Sequence, residues 1–222
     1  MRLVTPDEMK QLEGTANNAG YTYAQMMQKA GEGIANVCLE RFPSTGRRTV
    51  IGLIGGGNNG GDTLIALTGL QKQGWETLAV LLKQRNADDT IMSDYKLAGG
   101  KVVSDYKKID PRAFGAEVRV VLDGALGTGF RPPMAVEMKV MLEKARKAFK
   151  EFMWVAVDCP SGVDCSNGEV STGTSKASCT ICLEAVKTGL MTPSAFPYSG
   201  EILSVDLGIS AYTKDAQNDL AV

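Results

Sequence analysis

Three short loops carry the residues of this sequence that could do chemistry. They read GGGNNGGD at 55–62, DGALGTGFRPP at 123–133 and DCPSGVD at 158–164, and they offer carboxylates, amides and a serine hydroxyl. The 222-residue chain has no histidine, which excludes Ser-His-Asp and Cys-His catalysis and the usual histidine-ligated zinc and iron sites. Acid–base chemistry must therefore use Asp, Glu, Lys, Tyr or Cys with a shifted pKa.

Each loop follows an apolar run, and these runs alternate with helical patterns along the chain. The apolar runs predict strands at 49–54, 77–82, 101–103, 118–122, 153–157, 179–183 and 202–205. Apolar spacing and capping residues predict helices starting at residue 5 and at 23–41, 62–73, 88–97 and 134–149. The alternation predicts an α/β fold with a mostly parallel, buried sheet and helices on both faces. Ligands of such sheets bind beyond the carboxyl ends of the strands, where the three loops would meet.

The first loop satisfies the dinucleotide fingerprint G-x-G-x-x-G between a strand and a helix. An NADP-dependent oxidoreductase is therefore one interpretation, and Lys83 and Arg85, after the next strand, would suit a 2′-phosphate. Asp62 argues against it, because this carboxylate stands where a pyrophosphate would lie. Asn58 and Asn59 supply amides that a phosphate cradle does not require. A P-loop is excluded because no Gly-Lys-Ser/Thr follows.

The other two loops supply oxygen atoms at strand ends. Asp123 follows one predicted strand and is either a helix cap or a ligand for a cation. Ser161 lies in Pro-Ser-Gly without the G-x-S-x-G context or a histidine to activate it, so we interpret it as an oxygen ligand or hydrogen-bond donor.

Charge and cysteine content restrict the class of protein. The net charge is −1, which gives no basic footprint for nucleic acid, and no apolar stretch approaches the roughly 20 residues that span a bilayer. The N-terminus lacks the apolar segment of a secretory signal. We interpret the five cysteines as reduced thiols of a cytoplasmic protein: Cys38, Cys159, Cys165, Cys179 and Cys182. The last two lie three apart in a predicted strand and so point to opposite faces, which argues against a disulfide or metal there.

The three loops together resemble the NAD(P)H-hydrate epimerase family, the YjeF N-terminal domain. Its usual forms are GNNGGDG, DALFGTG and DIPSGLDADTGE, in the same order and at similar separations. MMQKAGEGIA at 26–35, VKTGL at 186–190 and GEILSVDLGIS at 200–210 are similar to further family segments. The resemblance covers nearly the whole chain. It implies one domain over 1–210 with a Rossmann-like three-layer α/β/α sandwich. The polar residues at the end of the sequence predict a C-terminal tail over 211–222.

The resemblance also implies a function. The family interconverts the R and S epimers of hydrated NADH and NADPH at C6, so that an S-specific dehydratase can restore the cofactor. Its members are commonly dimers with a bound potassium ion. The implied substrate contacts are Asn58, Asn59, Gly60, Gly61, Asp62, Gly127, Thr128, Gly129, Phe130 and Asp158. The implied potassium ligands are the oxygen-bearing Asn59, Asp123 and Ser161.

Epimerisation needs only proton transfer and charge stabilisation, because it proceeds either by breaking and remaking the C6–O bond or by opening the ring. A carboxylate with a raised pKa can do this without histidine. We hypothesise that Asp158 is the acid–base group, since it ends an apolar strand at the convergence of the loops. Lys187 matches the family's lysine and is the candidate electrostatic partner. The alternatives are a loop cap for Asp158 and a solvated surface position for Lys187.

The sequence departs from the family at several positions. Thr63 replaces the last glycine of GNNGGDG and is acceptable if the helix has already begun, although it could narrow the pocket. Cys159 replaces an isoleucine, and Gln28 and Lys29 replace the Glu-Asn of MENAG. The chain is also too short to include the family's dehydratase domain, so that partner is expected to be a separate protein.

A function of another class stays open. Relatives of this domain serve as binding modules in messenger RNA decapping scaffolds and in a lipoprotein-binding protein. A non-catalytic nucleotide-binding or dimerisation module is therefore the alternative to the epimerase.

Overall fold

The computed structural model describes residues 2–86, 88–104 and 117–213. The strands are β1 (Leu3–Val4), β2 (Arg48–Ile54), β3 (Glu76–Leu81), β4 (Lys101–Val103), β5 (Val118–Gly124), β6 (Met153–Val157), β7 (Cys179–Leu183), β8 (Val186–Lys187) and β9 (Glu201–Val205). Seven of them form one parallel sheet in the order β4-β3-β2-β5-β6-β7-β9. The predicted strands and the parallel sheet are confirmed.

The helices are α1 (Pro6–Asn18), α2 (Tyr23–Arg41), α3 (Asn58–Lys72), α4 (Thr90–Leu97), α5 (Val136–Ala148) and the short α6 (Phe196–Ser199). The predicted capping box starts α1: the hydroxyl of Thr5 accepts from the N–H of Glu8, and the Glu8 carboxylate accepts from the N–H of Thr5. The predicted helix over 23–41 is α2. Gly74 follows the end of α3 in the left-handed region, with φ of 78°, a conformation that glycine commonly adopts after a helix.

Two apolar layers cover the two faces of the sheet. Alternate residues of β2 point to opposite sides, so Val50 and Ile54 pack into the layer that contains apolar residues of α1 to α4. Ile51 and Leu53 pack into the other layer, which contains the apolar face of α5. The result is the predicted three-layer α/β/α arrangement, with the sheet buried between helices.

The glycine loop is shorter than the sequence predicts, because α3 begins at Asn58 and not at residue 62. Gly60 and Gly61 are weak helix formers, which favours a later start. Tertiary packing overrides this preference: a Cβ on Gly60 would lie 2.2 Å from the carbonyl oxygen of Gly55, so the first turn rests directly on the loop backbone. Asp62 is accordingly the fifth residue of the helix and not its start.

The second loop also begins later than predicted. β5 extends to Gly124, so Asp123 lies inside the strand and pairs in register with Leu53 and Ala156 of the neighbouring strands. This position excludes the helix-cap interpretation of Asp123.

The N-terminus and the C-terminal segment pack on the domain. β1 pairs with β8 in parallel, with Val4 opposite Lys187. Tyr212 stacks on Tyr21 with ring centroids 4.8 Å apart, and Thr213 is buried. The rest of the predicted tail, 214–222, lies outside the described residues. In the part of the chain that the structure describes, no helix has the length and apolar character needed to cross a bilayer.

Candidate functional site

The carboxyl ends of β2, β5 and β6 lie side by side, and the three loops meet there. Asn59, at the start of α3, donates from its side-chain amide to the carbonyl oxygen of Val157 at 2.6 Å and to that of Leu126 at 3.4 Å. The hydroxyl of Ser161 accepts from the N–H of Leu126 at 2.9 Å. Residues separated by about 100 positions in sequence therefore share one small region, as the parallel sheet requires.

Asp123 and Ser161 form the centre of this region. The Ser161 hydroxyl donates to Oδ1 of Asp123 at 2.6 Å, and the Ser161 N–H donates to Oδ2 at 3.1 Å. The N–H of Ala125 donates to Oδ1 at 3.3 Å. Burial raises the pKa of the Asp123 carboxyl, and the hydrogen bonds from Ser161 and Ala125 oppose that shift.

The oxygen atoms around Asp123 fit a hard cation. The Asp123 carboxyl is buried, and within the described ranges no lysine or arginine forms a salt bridge with it. The side-chain nitrogen of Asn59 donates to carbonyl oxygens, so its side-chain oxygen points toward Gly127. A Cβ on Gly127 would lie 2.3 Å from that oxygen. Carboxylate, amide, hydroxyl and carbonyl oxygens are the donors that hard cations prefer.

Asp158 and Lys187 form a buried ion pair. Nζ of Lys187 lies 2.5 Å from Oδ1 of Asp158 and 2.9 Å from the carbonyl oxygen of Leu183. The Lys187 side chain is 1% exposed, so the solvated-surface alternative for this lysine is wrong. The N–H of Leu183 also donates to Oδ1 of Asp158, at 3.0 Å.

The backbone of Asp158 is in the left-handed region, with φ of 64°. Few residues other than glycine adopt this conformation, and aspartate is among those that tolerate it best. It turns the chain sharply after β6. The N–H of Asp158 then donates to the carbonyl oxygen of Ile181, and its carboxylate accepts from the N–H of Leu183 at the end of β7. Strain of this kind is concentrated at functional sites.

Asp62 is the second buried carboxyl at this edge of the sheet. It is 4% exposed, and nothing in the described parts of the chain donates a hydrogen bond to its side chain. Burial raises the pKa of Asp62 well above its ordinary value, and the charges of Asp158 and Glu13 add to the shift. Lys187 and Arg85 act in the opposite direction.

Glu13 is a residue that sequence reasoning missed. Burial raises its pKa, while the charge of Lys187 lowers it and that of Asp158 raises it. Helical spacing could have indicated this: Glu13 lies four residues after Met9 and three before Ala16, both of which are buried on α1.

The glycines of the first loop serve close backbone approach. A Cβ on Gly55 would lie 2.0 Å from the carbonyl oxygen of Ala125, so β2 could not pass the second loop with a side chain there. The first helical bond of α3 runs from the N–H of Gly61 to the carbonyl of Gly57, at 3.3 Å. The N–H groups of Asn58, Asn59 and Gly60 therefore lack intrahelical partners and can bind an anion.

Arg85 has a role that differs from the 2′-phosphate contact considered above. Its Nη1 donates to the carbonyls of Gly55 and Gly57, at 3.0 Å each, and its Nε pairs with Asp89 at 2.5 Å. Arg85 thus holds the glycine loop in place. Lys83 is exposed beside Gly56, with Cδ 3.2 Å from the position of a Cβ there.

The second loop places its predicted substrate contacts at the mouth of the region. Gly127, Thr128 and Phe130 are half-buried, and Gly129 is exposed. The N–H of Phe130 donates to the carbonyl of Gly127 at 2.9 Å, which closes a tight turn. Asn58 is exposed, whereas Gly60 and Gly61 are buried.

The departures from the family pattern lie in two places. Thr63 is buried inside α3, where its hydroxyl donates to the carbonyl of Asn59 at 2.7 Å and a Cβ on Gly124 would lie 2.0 Å from it. It therefore packs against β5 of the sheet, and its effect on the width of the pocket stays a prediction. Gln28 and Lys29 are exposed on α2, and Gln28 donates to Glu32 at 2.7 Å.

The interpretation of all five cysteines as reduced thiols is wrong for one pair. Cys159 and Cys165 are joined by a disulfide across the third loop. The turn at Gly162 folds this loop back on itself and brings the two thiols together, which sequence spacing did not indicate. Cys179 and Cys182 are free and buried in different apolar clusters, so their predicted orientation to opposite faces of β7 is confirmed.

Comparison with known proteins places the chain among relatives of this architecture. The chain is 30% identical over 209 residues to a bifunctional NAD(P)H-hydrate repair enzyme Nnr of Thermanaerovibrio acidaminovorans, covering 92% of this chain and 40% of the relative. It thus spans about two fifths of the length of such bifunctional relatives. An NAD(P)H-hydrate epimerase of Clavibacter sepedonicus is 30% identical over 200 residues, covering 84% of this chain and 82% of the relative.

Two further comparisons agree with these. The crystal structure of yeast YNL200c superposes with a TM-score of 0.76, covering 92% of this chain and 87% of that chain at 20% identity, which shows a shared fold. A family model described as YjeF-related protein N-terminus matches residues 23–189, which is most of the sequence. The chain belongs to the family of YjeF-related protein N-terminal domains.

Proposed function

We propose that the protein is an NAD(P)H-hydrate epimerase, which interconverts the R and S forms of hydrated NADH and NADPH at C6 of the nicotinamide. The observation that carries the proposal is the buried Asp158–Lys187 ion pair, at the sheet edge where α3 begins with unbonded N–H groups. Relatives from Clavibacter sepedonicus and Nitrosopumilus maritimus that are named NAD(P)H-hydrate epimerases support it.

The substrate is held by the first two loops and by Asp158 of the third. The N–H groups that begin α3 bind its pyrophosphate, because they lack partners and lie at the positive end of the helix dipole. The nicotinamide end lies toward the buried carboxyls. The proposed contacts are Asn58, Asn59, Gly60, Gly61, Asp62, Gly127, Thr128, Gly129, Phe130 and Asp158.

The Asp158–Lys187 pair supplies charge stabilisation at the reacting ring. Oδ1 of Asp158 is fixed by Lys187 and by the N–H of Leu183, while no hydrogen bond reaches Oδ2 from any described residue. This oxygen can face positive charge that develops at the ring nitrogen or accept a proton. A buried, pre-oriented pair needs little reorganisation when the charge appears.

Asn59, Asp123 and Ser161 would hold a potassium ion. Their oxygens and the unpaired negative charge of buried Asp123 fit a monovalent cation, as described above. When bound, the ion supplies the positive charge that Asp123 lacks and ties the three loops to one another. The chain's own residues carry out the proton transfers.

The proposed setting of the enzyme follows from the same family. Residues 1–210 form a single domain that works as a homodimer in the cytoplasm. The S epimer it produces is consumed by an NAD(P)H-hydrate dehydratase. Relatives that this chain matches over about two fifths of their length are named bifunctional NAD(P)H-hydrate repair enzymes.

The test is to incubate the purified protein with the R epimer of hydrated NADPH and follow the S epimer by chromatography. Equilibration faster than in buffer is the expected result. An absence of turnover, together with a rise in Tm on adding NADP, would instead identify the non-catalytic binding module. Hydride transfer to a carbonyl substrate would identify the NADP-dependent oxidoreductase.

A further inference from the structure

Asp62 and Asp158 are two carboxyls of one site in opposite environments. Asp158 is bound through Oδ1 to Lys187 and to the N–H of Leu183. Asp62 is equally buried, yet no hydrogen-bond donor among the described residues reaches it. A buried carboxylate without a donor or a paired cation is strongly disfavoured relative to its protonated form.

The cations near Asp62 are committed elsewhere. Arg85 uses Nε for Asp89 and Nη1 for the carbonyls of the glycine loop. Lys187 points its ammonium group at Asp158 and Leu183. Glu13, on α1, adds a further negative charge that acts on Asp62. Of these three carboxyls, Asp158 is the one that bonds to the buried ammonium group, and Asp62 is left with no hydrogen-bond donor among the described residues.

Two carboxyls whose environments favour different protonation states are the usual basis for dividing acid and base roles in a site. We propose that Asp62 is the proton donor of the proposed epimerase, and that Asp158, bound to Lys187 and to the N–H of Leu183, supplies its counter-charge. The inference rests on the proposed function. It reverses part of the hypothesis from sequence, in which Asp158 alone was the acid–base group.

Asp62 gives its proton to the C6 hydroxyl, and the C6–O bond breaks with its electron pair leaving on the water molecule. The lone pair of the ring nitrogen forms a C6=N1 double bond, and the positive charge faces the Asp158 carboxylate. Water then adds to C6 from the opposite face, the π electrons return to N1, and the proton that this water loses passes to solvent, from which Asp62 is reprotonated. No oxidant or reductant takes part.

The test is Asp62→Asn in the full chain, assayed with both hydrated cofactors over a range of pH. We expect kcat to fall roughly 100- to 10,000-fold, the usual contribution of a positioned proton donor, with KM changed far less. The alkaline limb of the wild-type kcat profile should vanish in the variant, because loss of the Asp62 proton causes it. A variant that keeps a third of wild-type kcat, or keeps the alkaline limb, overturns the inference.

A second readout does not depend on turnover. Infrared difference spectra of wild type minus Asp62→Asn should contain the band of a protonated carboxylic acid at neutral pH. Absence of that band overturns the inference. Asp94→Asn, an exposed position on α4, is the matched control and should change neither kcat nor the spectrum. A wild-type protein that does not epimerise the substrate would refute the proposed function itself, whereas an active wild type with an active Asp62→Asn refutes only the role of Asp62.

Discussion

At the scale of single residues, the buried ion pair of Asp158 and Lys187 is the main electrostatic feature of the site. Lys187 is fully buried, and it bonds to Asp158 and to the carbonyl of Leu183. Truncating one member of a buried ion pair leaves the other charge without compensation, whereas replacing both removes the desolvation cost as well. The losses of unfolding free energy caused by substituting Asp158 and Lys187 should therefore not be additive.

Asp158→Asn and Lys187→Met test this coupling. Each single variant should lose about 3–5 kcal/mol of unfolding free energy, because the remaining charge is buried and unpaired, and both should lose epimerase activity. The double variant should be more stable than the sum of the two losses predicts. Asparagine is the appropriate replacement because it tolerates the left-handed backbone at this position. Additive losses in urea unfolding would contradict the coupling.

Asp62 gives a residue-scale prediction about stability and pH. Its pKa is raised in the folded protein, so the folded state holds a proton that the unfolded chain releases above its ordinary pKa of about 3.9. The associated stability is complete below that pH and is lost as the pH rises toward the folded pKa. The Tm of Asp62→Asn relative to wild type should therefore increase with pH over this range. A difference that is independent of pH would show that Asp62 is ionised when folded.

At the scale of elements, the site exists because α3 and two strands approach each other at backbone distance. Gly124 of β5 faces Thr63 of α3, and Gly55 after β2 faces the carbonyl of Ala125. Side chains at these glycines would move α3 away from the sheet edge. Asn59 would then lose its bonds to Val157 and Leu126.

Gly124→Ala tests this approach. Its Cβ would lie 2.0 Å from Oγ1 of Thr63 and 2.7 Å from the carbonyl of Asn59, so we expect a loss of about 1–3 kcal/mol from overpacking. Thr63→Ala should recover part of that loss by removing one of the two clashes. Gly129→Ala, where a Cβ meets nothing within 4 Å, is the control for stability. An unchanged Tm in Gly124→Ala would show that α3 moves freely.

At the scale of the whole molecule, three chain segments far apart in sequence converge on Asp123. A cation there would connect the loops after β2, β5 and β6. Because these loops come together only in the folded protein, the cation would stabilise the folded state. Its binding free energy adds to the unfolding free energy by mass action. This applies even without substrate.

Potassium should raise the Tm of the protein more than sodium at equal ionic strength. The difference should disappear in Asp123→Asn, which removes the charge but keeps the size of the side chain. Lys101, exposed on β4 away from the loops, provides a control in Lys101→Ala, which should respond to potassium as wild type does. Equal Tm values in the two salts would contradict a potassium site.

Sequence predicted the fold well because its signals are local. Apolar runs and capping residues such as Thr5 fix strands and helix starts through neighbours a few positions away. It failed where partners are distant. The start of α3 at Asn58 depends on contact with Gly55, the place of Thr63 depends on Gly124, and the pairing of Cys159 with Cys165 depends on a loop turning back.

The sequence by itself determined the parallel α/β architecture, the meeting of three loops at one sheet edge and the absence of histidine chemistry. Hydrophobic periodicity and residue identity suffice for these. Only the tertiary structure decided which charges share the site. It buried Lys187 against Asp158, left Asp62 without a hydrogen-bond donor among the described residues, added the charge of Glu13 to the field at Asp62 and engaged Arg85 in holding the glycine loop. Burial and charge pairing depend on distances between side chains remote in sequence, and those distances decide which carboxyl can hold a proton.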